Sequence, residues 1–217
     1  MALIDLTHPF RSGMYSQRIF PPIKVERCIK IEERRLNVTC VDFAVHSGTH
    51  VDAFRHFVAD GQAIDAIPLE SFAGPAVCWA VEREAGEEIT VADLEGSSPA
   101  CEPGDMVFIS TGWGRFFHED PDRYRVHPYL SHAAAGWLVE RRVKLCCFDL
   151  PTPDQPEAGR PPGFDWPVHH ALLENGVLIA EHLANLEQVA GRRFSAYAFP
   201  IPFQGGDGSP VRVVAEL

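Results

Sequence analysis

Nothing in the chain approaches the roughly 20 consecutive apolar residues that a membrane-crossing helix requires. Only Ala2, Leu3 and Ile4 separate Met1 from Asp5, so the apolar core of a secretory signal is missing as well, and a cytoplasmic location is expected. Positive charge is also scarce: 19 Lys and Arg stand against 30 Asp and Glu, a net charge of -11. Nucleic acid and anionic membrane are therefore not expected partners, because both need basic clusters. The one basic neighbourhood, Lys24, Arg27, Lys30, Arg34 and Arg35, is interleaved with Glu26, Glu32 and Glu33 and reads as a solvated face. None of the six cysteines stands in a C-x-x-C spacing, which removes the common thiolate zinc and redox motifs. Adjacent Cys146 and Cys147 lie in an apolar run and should face opposite sides of a strand; free thiols, no disulfide and no cysteine ligand are expected. The Gly-rich stretch from Ser110 to Gly114 lacks the Gly-Lys-Ser/Thr of a phosphate loop, so it is expected to line a substrate site instead. No internal repeat or low-complexity tract occurs.

Histidine, in contrast, is concentrated. The stretch from His46 to Phe57, HSGTHVDAFRHF, holds His46, His50, Asp52 and His56 within eleven residues. On a helix Asp52 would lie about 240° round from His46, so a helix divides the set. In an extended strand, positions 46, 48, 50 and 52 point one way and Thr49 and Val51 the other. Gly48 then leaves room between two imidazoles for an ion or a substrate. Imidazole with carboxylate is a donor set that suits zinc and that manganese accepts. A lone histidine is usually a surface or hydrogen-bonded core residue and a lone aspartate a turn former, but three histidines and an aspartate related by parity point to a metal site.

The stretch His46-Ser-Gly-Thr-His50-Val-Asp52-Ala-Phe-Arg-His56 resembles the His-x-Gly-Thr-His-x-Asp-x-Pro-x-His signature of the metal-dependent cyclase-like hydrolases, a family that includes bacterial kynurenine formamidase and isatin hydrolase. Phe54 stands where that signature has proline. Further segments are similar to the family along nearly the whole chain: Asp5-Leu-Thr-His8-Pro9, the Asp149-Leu-Pro-Thr-Pro-Asp154 loop and the Gly-rich closing segment. His169-x-x-Leu172-Leu173 followed by Glu181 resembles the family's second metal-binding segment. The resemblance implies His46, His50, Asp52, His169 and Glu181 as ligands of one or two Zn²⁺ or Mn²⁺ ions per subunit, His56 as the catalytic acid and base, and a homodimer or homotetramer. Read without it, Glu181 is better explained as an acidic residue at a helix start, and His56 can be a further ligand. His8 is expected to cap its turn, and Asp149 and Asp154 to order their loop, rather than to bind metal.

Periodicity supplies the framework. Strands are expected over Lys24–Lys30 and Asn37–Val45, the second running straight into His46, and over Ala76–Val81, Met106–Ile109, Val143–Phe148 and Val177–Ala180. Amphipathic helices are expected over Leu130–Val143, Trp166–Asn175 and Glu181–Ala190, with an exposed Pro- and Gly-rich flap over Gln155–Pro167. Strand, helix, strand order requires crossovers and a partly parallel sheet. The fold expected is thus one α/β domain over residues 1–217, a curved, barrel-like mixed sheet flanked by helices, of the swivelling β/β/α type that the resemblance implies.

The chemistry implied is hydrolysis of a C–N amide bond in a small aromatic metabolite, either an aryl formamide such as N-formylkynurenine or a cyclic amide such as isatin. The nucleophile would be hydroxide from a water acidified by the ion to a pKa of about 7. Phe20, Phe54, Phe57 and Trp113 suit a flat substrate. Lactone hydrolysis or ring closure at the same metal, and a metal-binding module without turnover, are the competing readings.

Overall fold

The computed structural model describes residues 2–217. Its strands, in chain order, are β1 (Leu3–Asp5), β2 (Lys24–Ile29), β3 (Val38–Asp42), β4 (His50–Asp52), β5 (Ala73–Ala80), β6 (Glu88–Ile89), β7 (Met106–Ser110), β8 (Tyr129–Leu130), β9 (Leu145–Phe148), β10 (Leu178–Glu181), β11 (Arg192–Tyr197), β12 (Gly208–Pro210) and β13 (Val214–Glu216). Nine of them form one sheet in the order β1-β13-β11-β5-β7-β9-β10-β4-β12. The centre, β5-β7-β9-β10, is parallel and both flanks are antiparallel. Parallel neighbours need crossovers, and the helices His132–Glu140 and Pro167–Leu173 provide two of them. The result is a mixed, curled half-barrel flanked by helices.

The apolar runs read from the sequence are the central strands, and they are buried on both faces, which explains why they are continuous rather than alternating. Val77, Trp79, Val107, Ile109, Cys146 and Phe148 pack under the helices. Cys78, Met106, Phe108, Leu145 and Cys147 fill the opposite core. Cys146 and Cys147 therefore do divide between the two faces. The helix expected from Leu130 begins when the Ser131 side chain accepts the Ala134 N–H, an N-cap that fixes its start.

Three expectations are corrected. The segment Glu181–Ala190 is not a helix: left-handed backbone at His182 (φ 56°) and Asn185 (φ 58°) breaks it, leaving one 3-10 turn at Leu186–Gln188 while Leu183, Leu186 and Val189 stay buried. Nor does β3 run into the histidine cluster. It ends at Asp42, pairs only with β2, and the chain bends through residues 43–49 before β4 begins. Finally, two cysteines are joined: Cys28 and Cys40 form a disulfide across this hairpin, with Cα atoms 5.7 Å apart. Twelve residues of separation carry no pairing signal in sequence; the antiparallel register, with a bulge between Arg27 and Ile29, brings the two side chains together. No helix among the described residues is long and apolar enough to cross a membrane.

Chain denatured without reductant is expected to react at four thiols and, after reduction, at all six. A count of six before reduction would mean that the hairpin is not cross-linked.

Candidate metal centre and pocket

Register builds the site. In the antiparallel pair of β4 with β10, His50 stands directly opposite Glu181 and Asp52 opposite Ile179. His50 and Asp52 share a face by strand parity, and their side chains lie 3.3 Å apart (Nε2 to Oδ1). Glu181 Oε2 lies 3.5 Å from His50 Nε2. The helix Pro167–Leu173 then lowers His169 onto the pair, its Nε2 3.4 Å from both Asp52 Oδ2 and Glu181 Oε1. On β4's other edge, β12 sets Gly208 opposite Asp52. A Cβ on Gly208 would meet the His46 ring at 2.7 Å, so His46 reaches the site only because this residue is glycine.

His46 arrives by a different route from the one parity suggested. The bend carries it in, with Gly48 at φ 62°. The space beside Gly48 is not left for an ion; the Phe10 ring and the Met14 methyl fill it, 2.7 and 2.8 Å from where a Cβ would sit. His46 joins the cluster all the same, Nδ1 against Asp52 Oδ1 at 2.7 Å and Nε2 against Asp207 Oδ2 at 3.0 Å. His56 follows on the 3-10 turn Phe54–His56, stacked on His46 with ring centres 3.8 Å apart and Nδ1 3.6 Å from Asp207 Oδ2. Phe54 opens that turn without its N–H entering a backbone bond, so the signature's proline and this phenylalanine are both compatible with it; the ring packs into the core.

The polar groups left over show what the cluster lacks. His50 Nδ1 donates to the Gly48 carbonyl at 2.8 Å, which leaves Nε2 as an acceptor. His50 Nε2, Asp52 Oδ2 and Glu181 Oε1 are all buried and have no hydrogen-bond partner among the described residues. Three acceptors facing one another without a donor are costly unless positive charge sits among them. His169 is oriented for the same purpose. Asp154 Oδ2 takes its Nδ1 at 2.6 Å and both carboxylate oxygens accept N–H bonds from Val168 and His169, which aims Nε2 at the centre. Asp154 thus orders its loop, as expected, and through it a ligand-type histidine, in the way outer carboxylates orient metal-bound imidazoles. The groups His46–Asp52–His56 and Asp52–His169–Glu181 each bring their donor atoms within 4.8 Å of one another, with Asp52 common to both. A third group, His50–Glu181–His182, adds a buried histidine that the sequence reading did not select.

The charge balance points the same way. Burial disfavours a charged His46, yet Asp52 and Asp207 override it and raise its pKa to about 10. His169 is also raised, against burial, by Asp154, Asp52 and Glu181. His56 moves oppositely: burial, helped by His46 and His169, lowers it to about 4 although Asp52 favours its charge. Burial raises Glu181, with the nearby Asp52 charge adding to it.

Above the cluster is a cavity of about 270 Å³ lined by Phe20, Phe57, Trp166, Arg160 and the cluster itself. Phe20 and Phe57 were expected there. Trp113 and Phe54 were too, and they are not: Trp113 is buried in the core with its indole N–H on the Arg83 carbonyl, and Phe54 packs between the two cores. The Ser110–Gly114 loop lies against a separate cavity, held by Asp149, which accepts the Thr111 and Gly112 N–H groups and the Thr111 hydroxyl. His8, buried and stacked on Phe117, borders that second cavity and not the cluster. Asp207 was missed because Gly-Gly-Asp-Gly reads as a turn; Trp166 and Arg160 were missed because their segment reads as an exposed flap.

The chain is similar to known proteins over most of its length. The family described as putative cyclase matches residues 4–155. Kynurenine formamidase of Salinibacter ruber is 33% identical over 187 residues, 84% of this chain and 81% of that protein. Isatin hydrolase A of Ralstonia solanacearum superposes with a TM-score of 0.87 at 24% identity, over 99% of this chain and 91% of that one. A structure described as a predicted metal-dependent hydrolase from Bacillus stearothermophilus superposes at 0.78 with 25% identity, over 99% and 97%.

Replacing Asp154 by alanine is expected to weaken the affinity for added Zn²⁺ or Mn²⁺ roughly 10–100-fold, because His169 loses its orienting partner. Chelator competition reads this directly. Unchanged affinity would separate His169 from the ion.

Proposed function

Because the chain belongs to the putative cyclase family, we propose that it is a metal-dependent hydrolase cleaving the C–N bond of a small aromatic amide, an aryl formamide such as N-formylkynurenine or a cyclic amide such as isatin. The observation that carries this reading is the trio of buried, partnerless acceptors on His50, Asp52 and Glu181. With His46 and His169 they form a nitrogen and oxygen donor set that would hold one or two Zn²⁺ or Mn²⁺ ions. A divalent cation bound there supplies Lewis acidity, for polarising a carbonyl and acidifying water.

The chain's own groups do the rest. Phe20, Phe57 and Trp166 flank the space above the cluster and accept a flat ring between aromatic faces. His56 is neutral at pH 7 because burial holds its pKa near 4, and it faces the pocket beside His46. It takes a proton from the attacking water and returns it to the departing nitrogen, so water and amide become acid and amine with no net proton change. Asp207 lies 3.6 Å from His56 Nδ1, close enough to favour a proton on it electrostatically. A cytoplasmic homodimer or homotetramer remains part of this reading; Leu36 and Val41, exposed near and on the β2–β3 hairpin, offer apolar surface for such contacts.

Two variants, assayed for bound metal and for turnover, test the assignment. His56→Ala is expected to retain the ion and lose turnover by roughly 10²–10⁴-fold, whereas Asp52→Ala loses both. Loss of metal from His56→Ala would make His56 a ligand. A panel of aryl formamide, isatin and lactone, with and without Zn²⁺ or Mn²⁺, separates the readings: lactone turnover alone favours the ring-opening alternative, and no metal-dependent rate on any compound leaves a binding module.

A further inference from the structure

The flap over residues 155–167 does more than cover the pocket. Arg160 lines the cavity, and its guanidinium is fixed on two sides. Its carbon lies 3.8 Å above the Trp166 ring and 4.8 Å from the Phe164 ring centre. Its Nε donates to the Gln155 carbonyl at 2.8 Å. These contacts engage the guanidinium through the two rings and one N–H, and leave the terminal nitrogens without a partner among the described residues. The neighbouring carboxylates are committed or distant. Asp154 is occupied by His169 and two backbone N–H groups, Glu181 belongs to the cluster, and Glu157, exposed on the pocket rim, makes no ion pair with Arg160 within 4 Å. Arg18, the other cation on the rim, is exposed and has no stacking partner.

A planar guanidinium stacked on an indole, with its fork left open toward a cavity, is pre-organised for a carboxylate. Its place in the pocket sets which carboxylate. Trp166 lies under Arg160 and perpendicular to His169, ring centres 6.0 Å apart, so the guanidinium lies one indole away from the cluster. A group held there belongs to the far end of a molecule whose reacting bond is at the cluster. We propose that Arg160 selects substrates that carry a carboxylate on the part of the molecule remote from the amide being cleaved. This rests on the hydrolase reading for the word substrate, but not for the binding itself.

The test compares an ortho-acyl aryl formamide bearing a carboxylate on its acyl chain with the methyl ester of the same compound, and likewise the two deformylated amines as non-reacting ligands. Binding of the amines to metal-loaded protein is measured by calorimetry, and kcat/KM of the formamides by formate release. Wild type is expected to favour acid over ester by about tenfold or more in both. Arg160→Gln should reduce that preference to less than about threefold, chiefly through KM; Arg160→Lys should restore part of it, because a point charge replaces the fork. Since each preference is a ratio within one variant, general loosening of the flap cancels. A preference that survives in Arg160→Gln, or is absent from wild type, overturns the assignment. If neither formamide is hydrolysed, the hydrolase reading fails while the ratio of amine affinities still decides the role of Arg160.

Discussion

Everything at this site follows from one unfavourable contact set: two carboxylate oxygens and an imidazole lone pair, buried together with no donor among them. Water-exposed groups of this kind would cost little. At the edge of a nine-stranded sheet, each unmet acceptor costs on the order of 1–3 kcal/mol, so the arrangement survives only with positive charge at its centre. Protons and a metal ion are the two ways to provide it. The raised pKa values of His46 and His169 describe the first, in the bare protein. The fixed aim of His50 and His169, each held through Nδ1 by Gly48 and Asp154, is the geometry the second needs.

The fold supplies that geometry through register more than through any one loop. A one-residue slip of β4 against β10 would turn His50 and Asp52 to the opposite face and remove both from Glu181. The slip is opposed on both edges of β4. Val51 is fully buried in the second core, and β12 pairs in turn with β4, where Gly208 is the only size of residue that lets His46 close in. The short three-residue strand is thus fixed more firmly than its length suggests, and the candidate site inherits that rigidity.

How much of this could be read from residues alone depended on whether the signal was local. The parity of His50 and Asp52 is local, as are the buried runs of β5, β7 and β9, and these correspond to the structure. His46 met the same cluster by a bend that parity did not foresee, because the left-handed backbone at Gly48 serves Phe10 and Met14, which lie over thirty positions away. The Cys28–Cys40 pairing, Asp207's contact with His46 and His56, and the stacking of Arg160 on Trp166 are all decided by where loops land. A helix over Glu181–Ala190 was the natural reading of Leu183, Leu186 and Val189; two left-handed residues bury the same three side chains without it.

Two stacked imidazoles with opposite tendencies show how the surroundings divide labour. His46 and His56 are 3.8 Å apart, and the same Asp52 and Asp207 lie near both. His46 makes short contacts through both nitrogens, so carboxylate attraction exceeds the cost of burial and the ring favours charge. His56 is farther from Asp207, makes no hydrogen bond to Asp52, and is repelled by the charge on His46; burial then prevails and the ring stays neutral. The difference between the two rings comes from their hydrogen bonds and charged neighbours rather than from residue type.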